Sequence, residues 1–241
     1  MYFMNKIDRF CWSNRRHFYT INNISIKKKP VDYSNLIIDY YDLGIERGWE
    51  IDQFINFAEK NNVEYNVFGF EACLDFYNTL IEKYALNKNI SLEHLAISNT
   101  DDDTIKLYHS NSDDGHSIIS SKNNLIDVDN NYEYCNTIKL STFIRSKIKY
   151  KGNKNHIKIL KANIEGAEYH LIKDLHESKM LGYFDYYIGT GYLGDITKCY
   201  PLGDKVNEIK KIFKDNKIIS FYFARGSKQE ANVPFESLLM C

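Results

Sequence analysis

The sequence predicts a doubly wound α/β fold built on a mostly parallel sheet, and three observations predict it. Apolar runs of strand length alternate with segments whose apolar residues recur at helical spacing. The first run, Leu36 to Tyr41, ends in Asp42 and a turn carrying Gly44 and Gly48, residues that let a backbone bend tightly and approach a ligand. A second run, Val67 to Phe70, ends in Glu71, about 20 residues past that turn, the separation at which a carboxylate in a βαβ unit reaches ribose hydroxyls. The glycine pattern is Asp-x-Gly-x-x-x-Gly, not the full Gly-x-Gly-x-x-Gly, so taken alone it also suits an ordinary strand-to-helix turn.

Each element has its own signal. Residues 1–30 are polar and irregular and read as an N-terminal extension closed by Pro30; the α/β domain takes up 31–241. Ile51, Phe54, Ile55 and Ala58 make the apolar stripe of the first helix. Cys73, Leu74, Tyr77, Leu80, Ile81 and Tyr84 make that of the second. A strand is expected at Ile90 to Ile97, a polar turn at 98–103 and a short strand at Ile105 to His109. Ser110 to Asn131 is rich in Ser, Asn, Asp and Gly. It reads as a long loop or hairpin insertion, either a rim over a site or a mobile connection.

A short strand at Thr137 to Leu140 precedes a helix capped by Ser141 and running through Lys147. Ile157 to Ala162 is the next strand, leading into Asn163-Ile-Glu-Gly-Ala-Glu168 and a helix with Ala167, Leu171, Ile172 and Leu175 on one face. A strand at Phe184 to Ile188, a glycine-rich turn through Gly194, a helix at Val206 to Phe213 and a strand at Ile218 to Phe223 complete the alternation. The tail from Arg225 suits an antiparallel edge strand.

Composition narrows the function. The chain has 241 residues, 44% hydrophobic and 15% aromatic, enough for one sizeable core. A net charge of −1 gives no general attraction to nucleic acid or anionic membrane. The five cysteines, Cys11, Cys73, Cys135, Cys199 and Cys241, are scattered and include no Cys-x-x-Cys pair. That argues against a zinc site and a disulfide framework and for a reducing, cytoplasmic setting. Asn5, Lys6, Asp8 and Arg9 interrupt any apolar leader, and no run approaches the ~20 apolar residues of a membrane-spanning helix.

Three segments in order carry a family resemblance: Asp42-Leu-Gly-Ile-Glu-Arg-Gly48, Gly69-Phe-Glu-Ala72 and Leu160-Lys-Ala-Asn-Ile-Glu-Gly-Ala-Glu168. Together with Leu95-Ala-Ile-Ser98 and Thr137-Ile-Lys-Leu140, they resemble the FkbM-type methyltransferases over roughly residues 33–190. The resemblance implies a seven-stranded, Rossmann-like class I methyltransferase sheet, S-adenosylmethionine as cofactor and no metal. It also implies O-methylation of a hydroxyl on a sugar, glycan precursor or small natural product.

It further implies roles. Asp42, Gly44, Glu46 and Gly48 would surround the methionine end, with Asp42 near its ammonium. Glu71 would accept the ribose hydroxyls, Phe70 and Ala72 would flank the adenine, and Ala96, Ile97 and Ser98 would meet the base. Asn163 would orient a substrate hydroxyl. Glu165 would hold substrate or loop, or stabilise the following helix through its dipole. Glu168 reads as structural. His116, in the long loop beside Ser117, would be the general base or an exposed loop histidine.

Two departures from the family pattern bear on activity. Ile45 stands where a small residue is common, and Glu46 where Asn is common; a bulky side chain and an extra carboxylate beside the methionine pocket would weaken cofactor binding, unless Glu46 points to solvent or meets Arg47. Asn163 replaces an Asp and cannot act as a base. A methyltransferase fold that kept binding and lost chemistry is therefore the alternative. A nicotinamide-dependent oxidoreductase ranks behind both, because it leaves Asn163 to Glu168 unexplained. Nucleic acid and membrane are not expected partners, and a homodimer is compatible with the sequence.

Overall fold

The computed structural model describes residues 35–111, 115–147, 156–189, 194–200, 203–216, 218 and 220–222. The expected extension at 1–30 and the tail from Arg225 lie outside them. In chain order the strands and helices begin with β1 (Ile37–Leu43), α1 (Trp49–Lys60), β2 (Glu64–Phe70), α2 (Leu74–Tyr84) and β3 (Ile90–Glu93). Then come β4 (Ala96–Ile97), β5 (Thr104–Tyr108), β6 (Tyr132–Ile138), α3 (Leu140–Lys147), β7 (His156–Ala162) and α4 (Glu168–Glu177). A single 3-10 turn at Leu181–Tyr183 leads to β8 (Tyr186–Gly189), α5 (Gly194–Cys199), α6 (Asp204–Asp215) and β9 (Ser220–Tyr222).

The central sheet has the order β3-β2-β1-β7-β8-β9, with every pairing parallel. Among the described residues it supplies six of the seven strands expected. Alternation along the strands divides the core into two layers. Ile38, Tyr40, Val67 and Ile159 pack with Ile51, Phe54 and Ala58 of α1 and Leu80 of α2. Tyr41, Leu43, Phe70 and Leu160 pack with Phe143 and Ile144 of α3, Leu171, Ile172 and Leu175 of α4, and Ile209 and Phe213 of α6.

The chain departs from expectation between Ile90 and Ile97, which is not one strand. β3 follows β2 only as far as Glu93, opposite Phe70. The chain then turns at His94, whose Nε2 lies 3.0 Å from the Ala72 carbonyl oxygen, and Ala96 and Ile97 pair with Thr137 and Ile138 instead. The strand expected at Thr137 is accordingly the end of the longer β6, which with β4 and β5 forms a separate three-stranded sheet. Ser141 does not cap α3 from outside; it lies within the helix, and Asp174 of α4 accepts from both its amide and its hydroxyl. Between β5 and β6 the long loop is tied down by bridges from Tyr108 to Ser117 and from Ser110 to Leu125.

Candidate functional site

Register assembles the site. Leu43 lies between Phe70 of β2 and Ala162 of β7. The next residues, Gly44, Glu71 and Asn163, therefore leave three adjacent parallel strands at one level, at their carboxyl ends. Open α/β sheets bind ligands at such ends. The backbones interlock there: Gly44 N donates to Phe70 O at 2.9 Å and Asn163 N to Leu43 O at 3.0 Å. Gly44 has φ +75°, and a Cβ on it would sit 2.2 Å from the Asn163 carbonyl oxygen. Gly48 also has a left-handed backbone, φ +79°, and a Cβ there would lie 2.4 Å from the Tyr84 hydroxyl, a side-chain rather than a backbone neighbour.

Ile45 and Glu46 fall into separate surroundings. Ile45 is buried with α1, and its Cδ1 fills the space that a side chain at residue 69 would need, 2.6 Å from where a Cβ on Gly69 would stand. Glu46 has φ +57°, which aims its amide at Glu71, whose Oε2 accepts it at 2.8 Å. The Glu46 carboxylate extends instead to Arg47, 3.8 Å from its Nε. Glu71 Oε1 accepts the Cys73 amide at 2.9 Å. Burial pushes the Glu71 carboxyl up from its ordinary value, while the Cys73 and Glu46 amides pull it back.

Asp42 is fully buried, and its neighbour across the β1–β7 ladder is Lys161. The Lys161 ammonium lies 2.7 Å from Asp42 Oδ1 and donates to the Gly44 carbonyl at 2.7 Å. Burial raises the Asp42 carboxyl to about 7 against the pull of Lys161. Burial alone would lower the Lys161 ammonium, but Asp42, Glu50 and Glu71 outweigh it and hold the group above its ordinary value. The aspartate expected beside a ligand ammonium thus already has an ammonium from its own chain.

The turn after β7 is rigidly organised. Glu168, fully buried at the start of α4, accepts the amides of Ile164 at 2.8 Å and Gly166 at 2.7 Å, the structural role its position suggests. Glu165 has φ +55°, and its carboxylate meets Lys122 of the long loop at 2.7 Å. Its carbonyl oxygen accepts the Ser117 hydroxyl at 2.8 Å. His116 stacks on Phe76 with ring centroids 5.8 Å apart, and its Nδ1 accepts the Ser110 amide at 3.2 Å. A neutral ring so engaged carries its proton on Nε2.

These groups line a cleft that is partly open to solvent and, with that open solvent included, holds about 640 Å³ of space. Ten residues singled out from sequence line it: Gly44, Glu46, Phe70, Glu71, Ala72, Ala96, Ile97, His116, Asn163 and Glu165. Asp42, Gly48 and Ser98 do not. Ser98 is buried directly after β4, its amide donating to Ile138 O of β6 at 3.1 Å. Sequence reading missed Phe76, Leu95, Leu107, Ile118 and Ile164 in the wall, and Lys122 and Lys161 behind it. Lys161 carried a signal, a cation at the carboxyl end of a strand where the neighbours Leu160 and Ala162 are apolar; Lys122 carried none. Among the described residues no group of three or more His, Cys, Asp or Glu could hold a metal ion, and no helix is long and apolar enough to cross a membrane.

A family model described as a methyltransferase FkbM domain matches residues 38–182. Among solved structures, the crystal structure of methyltransferase FkbM from Methylobacillus flagellatus KT at 2.20 Å resolution is similar, with a TM-score of 0.40 and 12% identity. The match covers 73% of this chain and 36% of that one, so this chain spans about a third of its length. No curated protein matches.

Proposed function

The chain belongs to the methyltransferase FkbM domain family, and from that premise we propose that its cleft binds S-adenosylmethionine and that the protein methylates a hydroxyl of a sugar, glycan precursor or small natural product. The observation that carries the reading is Glu71. It follows β2 directly, one strand from the Gly44 turn, lines the cleft, and has a carboxylate anchored by the Glu46 and Cys73 amides. Each carboxylate oxygen can accept a further bond, so the anchoring leaves capacity for a ribose diol.

Bound there, the cofactor would supply an electrophilic methyl group for in-line transfer to an oxygen. The protein's own work is positioning. Phe70, Ala72, Ala96 and Ile97 form a largely apolar wall suited to a base, and Gly44 keeps the floor free of a side chain. Asn163 would orient the acceptor hydroxyl through its amide. His116 would meet the same hydroxyl: as placed, its neutral ring donates from Nε2, and accepting the hydroxyl proton there requires giving up the Ser110 amide. Asp42 keeps Lys161 charged under the turn rather than touching the ligand.

Two observations favour a second reading, a binding protein without transferase activity. Asn163 supplies no base, and Lys161 occupies Asp42. Calorimetric titration with S-adenosylmethionine and S-adenosylhomocysteine tests both readings. Binding that falls about tenfold or more in Glu71→Ala supports the pocket assignment. Equal binding by wild type and Glu71→Ala removes it. Binding without turnover on any acceptor hydroxyl leads to the second reading.

A further inference from the structure

Lys122 lies in Ser120-Ser-Lys-Asn-Asn124, a polar stretch of a surface loop, yet its side chain is 0% exposed. A buried ammonium requires partners. Here Nζ meets Glu165 Oε2 at 2.7 Å and donates to the Gly115 carbonyl. One cation thus closes its own segment, from Gly115 to Lys122, and fastens it to the turn after β7. Two hydroxyls add ties: Ser117 Oγ donates to Glu165 O in the same turn, and Ser121 Oγ to Cys199 O at the end of α5, both at 2.8 Å. The fastened segment carries Gly115, His116, Ser117 and Ile118, which form one wall of the cleft. Glu165, on the opposite turn, holds a left-handed backbone, a conformation that persists in a non-glycine residue only where its surroundings fix it.

We infer that Lys122 is a positioning residue for the cleft. Its ammonium locks the wall at 115–118 onto the β7–α4 turn and commits the Glu165 carboxylate to an ion pair, so that Glu165 anchors the loop and does not take a substrate proton. The catalytic consequence rests on the proposed methyl-transfer reading; the lock does not.

The test is amide hydrogen exchange on the full chain, with Leu160 in the central sheet as internal control, together with titration by S-adenosylhomocysteine. Lys122→Met strands the Glu165 carboxylate. It should speed exchange at Ser117 and Ile119 by about tenfold or more relative to Leu160, and weaken binding of the probe. Glu165→Gln should do the same by stranding the ammonium. The double variant, with neither charge left unpaired, should exchange no faster than either single variant. Unchanged exchange at Ser117 in Lys122→Met, or effects that add in the double variant, would overturn the inference. If Lys122→Met alone does not fold, a folded double variant supports the lock and an unfolded one overturns it. Wild type that shows the exchange pattern but binds no probe leaves the lock standing and sinks the cofactor reading.

Discussion

Gly44 and Asn163 meet backbone to backbone: a Cβ on Gly44 would stand 2.2 Å from the Asn163 carbonyl oxygen. The exits of β1 and β7 are therefore held at a separation that only glycine allows, and φ of +75° at Gly44 excludes side chains a second time. Gly44→Ala should cost about 2–4 kcal/mol, from left-handed backbone strain and displacement of the β7 exit. Urea unfolding of the two proteins measures it. A loss below about 0.5 kcal/mol, the usual scale of surface substitutions, would mean that the two exits can separate freely.

Asp42 and Lys161 give a pH-dependent prediction. The folded-state Asp42 carboxyl is raised from 3.8 to about 7. The folded protein therefore holds a proton that the unfolded chain has released. The stability this contributes is complete below 3.8 and is lost as pH rises through about 7. Lys161→Met removes the pull of the neighbouring ammonium in the other direction and leaves a buried carboxylate unpaired, at a cost of about 3–5 kcal/mol near neutral pH. The variant's deficit should be smaller at pH 5, where the carboxyl is protonated, than at pH 8. Urea midpoints at the two pH values decide it; an equal deficit at both would mean that Asp42 titrates elsewhere.

How much of this was legible in the sequence depended on what kind of signal each part carries. β1, β2 and β7 each carry a cluster of apolar residues near their carboxyl ends followed by a polar residue, so their ends, and with them Gly44, Glu71 and Asn163, could be placed one by one. Their alignment at one level is a matter of register, which is set by long-range pairing. The break at His94 was hidden because strand-compatible residues lie on both sides of it, Ile90 and Leu92 before and Leu95 to Ile97 after, while the two halves belong to different sheets. Lys122 was hidden for the opposite reason: its neighbours in sequence are polar, and its burial depends on the distant Glu165 together with the Gly115 carbonyl.

Burial also predicts thiol behaviour. Desolvation raises Cys73 to about 11 and Cys135 to about 12, and both side chains are buried beside Ala96 and Leu107. At pH 8 the thiolate fraction of a group near 11 is on the order of 10⁻³, so neither should react with an alkylating reagent in the native protein. Mass mapping after brief alkylation, with and without urea, tests this. Both should be modified only once the protein unfolds. Rapid native labelling of Cys135 would mean that β6 opens from the small sheet.

Ile45 bears on whether departures from the family pattern disable the site. Its side chain does not enter the cleft; it packs against the sheet, with Cδ1 2.6 Å from where a Cβ on Gly69 would stand. The bulk at residue 45 is thus accommodated by the missing side chain at residue 69, with Leu92 Cδ2 at 2.7 Å closing the other side. Gly69 has no positive φ, so an alanine there is opposed by crowding alone. Gly69→Ala should cost about 1–3 kcal/mol, the range for overpacking a filled core. Adding Ile45→Val, which removes the crowding methyl, should recover part of that loss and make the two changes less than additive. Thermal or urea unfolding of both single variants and the double variant gives the coupling directly. Strict additivity would mean that Ile45 and Gly69 relax independently. The isoleucine would then need another accommodation, and its effect on the neighbouring cleft would have to be sought in ligand affinity.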